Sequence, residues 1–433
     1  MWELIKQNQR KSFVLFILMG GCLILLGYLI GSAYAPPDGG IAGVVVALAI
    51  WMVLSLISYF GGDSIMLGVS GAKEITRDMH PQLYNVVEEM KIAGSLPTMP
   101  KIYIIDSPAP NAFATGRKPE TAAIAVTAGL LARVNRDELQ GVVAHEMSHI
   151  LNRDVLYMTF AGVMLGAIAI LSQVFLRGMW YSGHSSSRYR SRSSSGRGQG
   201  QAIIMIVALV FAILAPIMAR LLYFAISRKR EYLADASAAR LTRYPEGLAS
   251  ALEKISDSKD DLPSANAITA PLYIVNPLKN KGMKLSDLTS THPPISLRIK
   301  ILRGMASGAG YNNYQKAFSR VTGQHSTIIP SSGLKDTETV PLRAAGTTEA
   351  APPTAKDQNR QVGDLIRAVN QFRFLTCTCG LKIKVPPDFT QAAFPCPGCG
   401  ASLAVPAVGA ATFAAALHSL TGTPNQKRTS SQR

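Results

Sequence analysis

The sequence predicts a mostly α-helical membrane protein with four transmembrane helices, a small β element and a separate C-terminal module. Three observations carry that prediction. Apolar residues make up 48% of the chain and charged residues only 16%, a balance poor in charge for a soluble protein. The apolar residues gather in four stretches, 12–35, 41–60, 155–176 and 202–226, each nearly free of charge. Each has about the 20 residues that a helix needs to cross a bilayer core. Finally, four of the five cysteines crowd between positions 377 and 399. Buried core helices of a large soluble protein are the alternative reading, but such helices seldom stay uncharged for about 20 residues.

Taken in chain order, the first stretch follows Lys6, Arg10 and Lys11. It is longer than the roughly 7–15 apolar residues of a signal-peptide core, so it reads as a retained anchor. Residues 1–62 form a first transmembrane hairpin that turns at 36–40. Residues 63–154 read as the first part of a globular domain. Leu83, Val86, Val87 and Met90 make an apolar stripe on a helix over 81–93. A β-rich run at 101–106 and a second at 122–127 flank a stretch, 108–116, whose Pro and Asn residues predict a turn. Asn135 looks like an N-cap with Glu138 as its capping-box partner, opening a helix that reaches about Leu151. Residues 155–226 form a second hairpin around a Ser/Arg-rich loop, which reads as a solvated segment. The globular domain resumes over 227–305, with helices at 228–240, 244–256 and 291–303. Residues 306–360, rich in Thr, Ser, Ala and Pro, read as a flexible linker, and 361–433 as the cysteine module with a polar tail. His80 shows no partner in the sequence.

The chemistry begins at His145-Glu146-Met147-Ser148-His149, an HExxH motif. Residues four apart share a helix face, so both imidazoles can reach one metal ion. Glu146 falls beside them as a general base for a water held at a zincin-type site. The long form of the motif fails, because Asn152 and Val155 stand where Gly and His are required. Glu231 and Asp235, four apart on another predicted helix, offer a third ligand and a carboxylate to orient a ligand histidine. An ordinary solvated glutamate is the alternative for Glu231. His149 and Glu231 lie a few residues from apolar stretches, so the metal is expected close to the membrane face, where membrane proteins are the natural substrates.

The formal net charge is +17. Clustered apolar residues assign that excess to lipid and loops rather than nucleic acid, for which no aromatic-plus-basic stripe is visible. Lys6, Arg10, Lys11, Lys73, Arg153, Arg228, Lys229 and Arg230 would share the catalytic side and mark it as cytoplasmic. Arg177, Arg188, Arg190, Arg192 and Arg197 would lie opposite, against that rule. Cys377, Cys379, Cys396 and Cys399 form two tight pairs, each followed by glycine, around a β-rich stretch. That spacing resembles a zinc ribbon and predicts a second, structural zinc beside the catalytic one.

With these residues in view, the chain resembles the HtpX family of integral-membrane zinc metalloproteases, relatives of the CAAX-prenyl proteases. Segments 103–117, 145–154, 230–235 and 291–294 carry the likeness, which spans roughly residues 1–305. The resemblance implies Glu231 as third zinc ligand and cleavage of misfolded membrane proteins at the cytoplasmic face of a bacterial inner membrane. It implies substrate pairing at Asn111, Ala112 and Phe113, and a place near the metal for His292, which could stabilise an oxyanion. A non-enzymatic membrane scaffold is the rival reading, and the intact Glu146 argues against it.

Overall fold

The computed structural model describes residues 2–35, 37–185, 197–265, 272–277, 292–305, 307–329, 331–335, 340–346 and 354–405. Most of the predicted Ser/Arg-rich loop and the polar tail lie outside them. Two long helices open the chain, α1 (Trp2–Tyr34) and α2 (Gly39–Val69). They pack so closely that a Cβ on Gly31 would sit 2.0 Å from the carbonyl oxygen of Gly39. Small residues of this kind let apolar helices approach backbone to backbone.

A four-stranded sheet follows, built from β1 (Ala72–Glu74), β2 (Lys101–Ile105), β3 (Ala112–Thr115) and β4 (Ala123–Thr127), with α3 (Pro81–Ala93) between the first two strands. The strand order is β1-β2-β4-β3, with β2 and β4 parallel and both outer pairs antiparallel. The predicted turn at 108–116 is therefore half strand. Ala112 to Thr115 pair with Val126 to Ala123, and this tertiary pairing overrides the local turn residues. His80 also acquires a role: its Nδ1 accepts the Leu83 N–H at 3.1 Å and caps α3.

The short α4 (Ala128–Leu131) leads to α5 (Arg136–Leu151), opened by a complete Asn135–Glu138 capping box. Next come α6 (Val155–Ser185), α7 (Arg197–Thr242) and α8 (Pro245–Asp257). Gly141 of α5 permits α8 to approach, since a Cβ there would meet the Leu248 nitrogen at 2.6 Å. After α9 (Ile295–Arg303) come α10 (Tyr311–Thr322), α11 (Ser331–Leu334) and α12 (Ala355–Val369). The chain then forms two hairpins, β5 (Arg373–Thr376) with β6 (Lys382–Val385), and β7 (Ala393–Pro395) with β8 (Ser402–Ala404).

Among the described residues, three helices are long and apolar enough to cross a membrane: Phe13–Tyr34, Gly39–Val69 and Ala202–Ala219. The expectation of four spans is thus met by three. In α6 the described apolar helix Met164–Trp180 is shorter. The main core lies between one sheet face and α3, α5, α8, α9 and α10. A second core joins the apolar helices through Leu15, Met19, Leu23, Met164, Phe175 and Ala212.

The flexible linker predicted for 306–360 needs correction. Tyr314 and Phe318 of α10 enter the main core. Arg343 stacks on Tyr244 at 4.8 Å and donates to Asp137 and Gln140 at 2.7 Å each. Few apolar residues are enough here, because they are large and the surface they cover is already formed.

Candidate metal centre

The apolar and small residues of α5 bury nearly its whole length, His145, Glu146 and His149 included. On α7, Glu231 and Asp235 are buried in turn. The two helices cross with Glu231 facing both histidines: His145 Nε2 lies 3.6 Å and His149 Nε2 3.4 Å from its carboxylate oxygens. The two Nε2 atoms are 3.3 Å apart, and the three donor atoms all fall within 4.8 Å of one another.

The opposite ring nitrogens are held. His145 Nδ1 lies 3.0 Å from Asp235 Oδ1, and His149 Nδ1 lies 3.1 Å from Asp154 Oδ1. A carboxylate behind each Nδ1 fixes the tautomer that leaves Nε2 for a metal. Asp154 reaches His149 because Arg153 takes a left-handed φ of 56° and turns the chain back on α5. Nothing in the sequence pattern announced that role.

Arg298, on α9, was likewise not foreseen. It is fully buried and grips Asp235 through Nε and Nη2, at 2.8 and 2.7 Å. Its Nη1 donates to the Ile274 carbonyl at 3.0 Å and lies 3.5 Å from Glu231. A bidentate guanidinium of this kind sets both the charge and the angle of the carboxylate it holds.

Charge follows from this packing. Burial favours neutral imidazoles, yet Asp235 and Glu231 outweigh it and raise His145, while Asp154 and Glu231 raise His149 further. Burial also works against a charged Glu231, but His292 and the two ligand histidines hold it well below the usual carboxylate range. Asp235 is depressed despite burial, chiefly by Arg298. Glu146 goes the other way: burial pushes it up, against the pull of His145 and His149. Its Oε1 is buried with no hydrogen-bond partner, directly beside the histidine pair. Two aligned Nε2 donors, one ionised carboxylate and an unsatisfied acid make a His₂Glu set that fits zinc with an open position.

His292 Nδ1 lies 3.0 Å from Glu231 Oε2. At the sheet edge, Thr127 N–H donates to the Asn111 carbonyl at 3.0 Å. Alternation along an antiparallel ladder then turns the Ala112 and Ala114 backbones away from β4. Ala112 already accepts the Ile274 N–H at 2.9 Å, and the Asn111 amide donates to the Val275 carbonyl at 2.8 Å. Ala114 N–H reaches Glu146. Phe113 faces the opposite side and packs edge-on to Tyr273, at 5.1 Å.

The profile of peptidase family M48 matches residues 78–306. The chain belongs to this family. The "Protease HtpX homolog" of Dictyoglomus turgidum is 47% identical over 304 residues, covering 70% of this chain and 94% of that protein. Its counterpart in Dictyoglomus thermophilum is 49% identical over the same length and shares. The one from Listeria monocytogenes is 44% identical over 313 residues, 70% of this chain and all of that protein. A crystal structure of S. mikatae Ste24p aligns at 22% identity with a TM-score of 0.36, over 70% of this chain and 67% of that one. As an M48 protein the chain is a metalloendopeptidase, and its apolar helices associate it with a membrane.

The cysteine module lies outside the M48 match. Its four sulfurs also fall within 4.8 Å of one another, with Cys377 and Cys399 at 3.4 Å and Cys379 and Cys396 at 3.8 Å. Gly380 and Gly400 follow the two pairs at φ of 86° and 75°, conformations that turn each pair inward at no steric cost.

Proposed function

We propose that this M48 protein is a zinc-dependent endopeptidase that cuts membrane proteins, misfolded ones in particular, at the cytoplasmic face of a bacterial inner membrane. One observation carries the reading. The donor cluster is assembled between α5, which passes almost directly into α6, and α7, which carries the apolar stretch Ala202–Ala219. A site on the continuation of membrane helices is supplied with substrates that share the membrane. In this reading α6 completes a second hairpin, and basic residues hold the site on the cytoplasmic side.

His145, His149 and Glu231 would hold the metal. Zinc bound there would supply Lewis-acid polarisation of a carbonyl and a water with its pKa lowered to about 7. Glu146 takes the proton of the attacking water and passes it to the leaving amine. His292 donates to the developing oxyanion. Substrate adds as a strand along β3, at Asn111, Ala112 and Phe113, with Ala114 beside the base. At Asn111 and Ala112 the Ile274–Val275 contact gives way to it. Cys377, Cys379, Cys396 and Cys399 would hold a second zinc, which would fasten the C-terminal hairpins.

The test is cleavage of a membrane-anchored, poorly folded reporter by the full chain in detergent with zinc. Glu146→Gln is expected to keep its zinc and lose at least about a hundredfold in kcat, the usual loss of a positioned base. If both proteins bind zinc and neither cuts any of a broad panel, the scaffold reading takes over.

A further inference from the structure

Asp63 is the one charged residue of α2. It lies just beyond the apolar run that ends at Phe60. An acidic residue at the end of a membrane helix is costly without partners. Its partners all come from the end of β3. Thr115 Oγ1 donates to Asp63 Oδ1 at 3.3 Å, and the backbone N–H groups of Gly116 and Arg117 donate to the same carboxylate. Gly116 makes this possible. Its φ is 127°, and a Cβ there would come within 2.6 Å of Ala122 Cα. Arg117 then folds back on α2. Its Nη1 donates to the Tyr59 carbonyl at 3.4 Å, and the guanidinium lies over the rings of Tyr59 and Phe60 at 5.1 and 5.5 Å. Aromatic residues at such a level mark the boundary between lipid and water. Further along α2, Leu67 packs into the cluster of Phe113 and Tyr273 beneath the strand.

The strand that passes Glu146 is thus pinned at its far end to a membrane helix, and separately from the metal ligands. We infer that Asp63 is a positioning residue that fixes the height of β3 above the bilayer. Anchored substrates pairing with β3 are then cut at a set distance from the membrane. This rests on the reading of β3 as the substrate strand.

The experiment uses the full chain in proteoliposomes of phosphatidylethanolamine and phosphatidylglycerol. The substrate is a single-span reporter whose juxtamembrane segment repeats one cleavable sequence, and cut sites are mapped by mass spectrometry. The same repeat as a soluble peptide is the control. Wild type is expected to cut a narrow window. Asp63→Ala widens that window and raises KM for the anchored reporter by roughly fivefold more than for the peptide, about the net worth of one ordinary hydrogen bond. Asp63→Asn, which keeps an acceptor oxygen, restores most of the window. Thr115→Val, which alters no charge, widens it partway and serves if Asp63→Ala folds poorly. A narrow window retained in both Asp63→Ala and Thr115→Val, or equal KM shifts on both substrates, overturns the inference. A wild type that cuts the anchored repeat at every position overturns it too; wild-type KM for both substrates in Ala112→Pro, which removes a backbone donor of β3, would instead remove the β3 reading beneath it.

Discussion

Arg298 Nη2 and Asp235 Oδ1 meet at 2.7 Å with neither side chain exposed. Such a pair, once half removed, leaves an uncompensated buried charge. Asp235 in turn faces His145 Nδ1, so the guanidinium braces one ligand histidine through Asp235 and also lies 3.5 Å from Glu231 itself. Arg298→Lys keeps the charge but loses the fork. Zinc affinity is expected to fall by about 10–100-fold, the range for lost support behind a ligand, with kcat falling alongside. Competition against a chromophoric chelator measures the first and reporter cleavage the second. Wild-type values for both would remove Arg298 from the site. Glu146 needs no such scaffold, since burial, and after it the negative charge of Glu231, raises it, and its position follows from the helix that carries the histidines.

Among the elements, α3 has the most unusual start. Its cap is His80, 6% exposed, with a pKa lowered by burial to about 4. The cap works only while Nδ1 is unprotonated. In the unfolded chain the group titrates near 6.5, so between about 6.5 and 4 the unfolded state binds the extra proton. The folded pKa is depressed, so the stabilising contribution is complete above about 6.5 and is lost as pH falls toward 4. The loss is on the order of 3 kcal/mol. His80→Asn keeps a capping acceptor and removes the titration. Urea midpoints in detergent should fall less between pH 7 and pH 4.5 for this variant than for wild type. Equal falls would show that other groups carry the acid sensitivity. The site elements α5 and α7 are held differently, by close helix packing at Gly141 and by the length of α7.

At the scale of the molecule, residues beyond the M48 match are fastened to the catalytic body. Arg343 joins the segment after α11 to the first turns of α5, through Asp137 and Gln140. Asn370, after α12, donates to Asp106, and Lys73 donates to Asn370. Arg343→Ala removes its bonds to Asp137, Gln140 and the Thr242 and Ala344 carbonyls and a stacking contact, together worth about 1–3 kcal/mol for a half-buried group. Limited proteolysis should then cut near 336–350 at lower protease concentration, and the thermal midpoint should drop. An unchanged digest would mean that the bonds made by the backbone of 340–346 to Ala309, Arg243 and Asp137 hold the segment without the Arg343 side chain.

The sequence by itself determined the spans read from hydropathy, the HExxH helix with its capping box, the pairing of Glu231 with Asp235, and the two cysteine pairs. Each is a local pattern: a run of apolar residues, a fixed spacing of four on one helix face, a short pair of thiols followed by glycine. Of the four spans expected, three are long and apolar enough among the described residues. Only the tertiary structure decided what depends on distant segments meeting. Asp154 reaches His149 through a left-handed turn at Arg153. Arg298 lies 63 positions from Asp235 in the chain yet grips it with two nitrogens. Residues 112–115 become a strand because β4 offers backbone partners that the local Pro and Asn residues cannot outweigh. His80 and Asp63 take their partners from burial and from a neighbouring element. A buried polar group must find partners somewhere, and its own stretch of sequence does not name them.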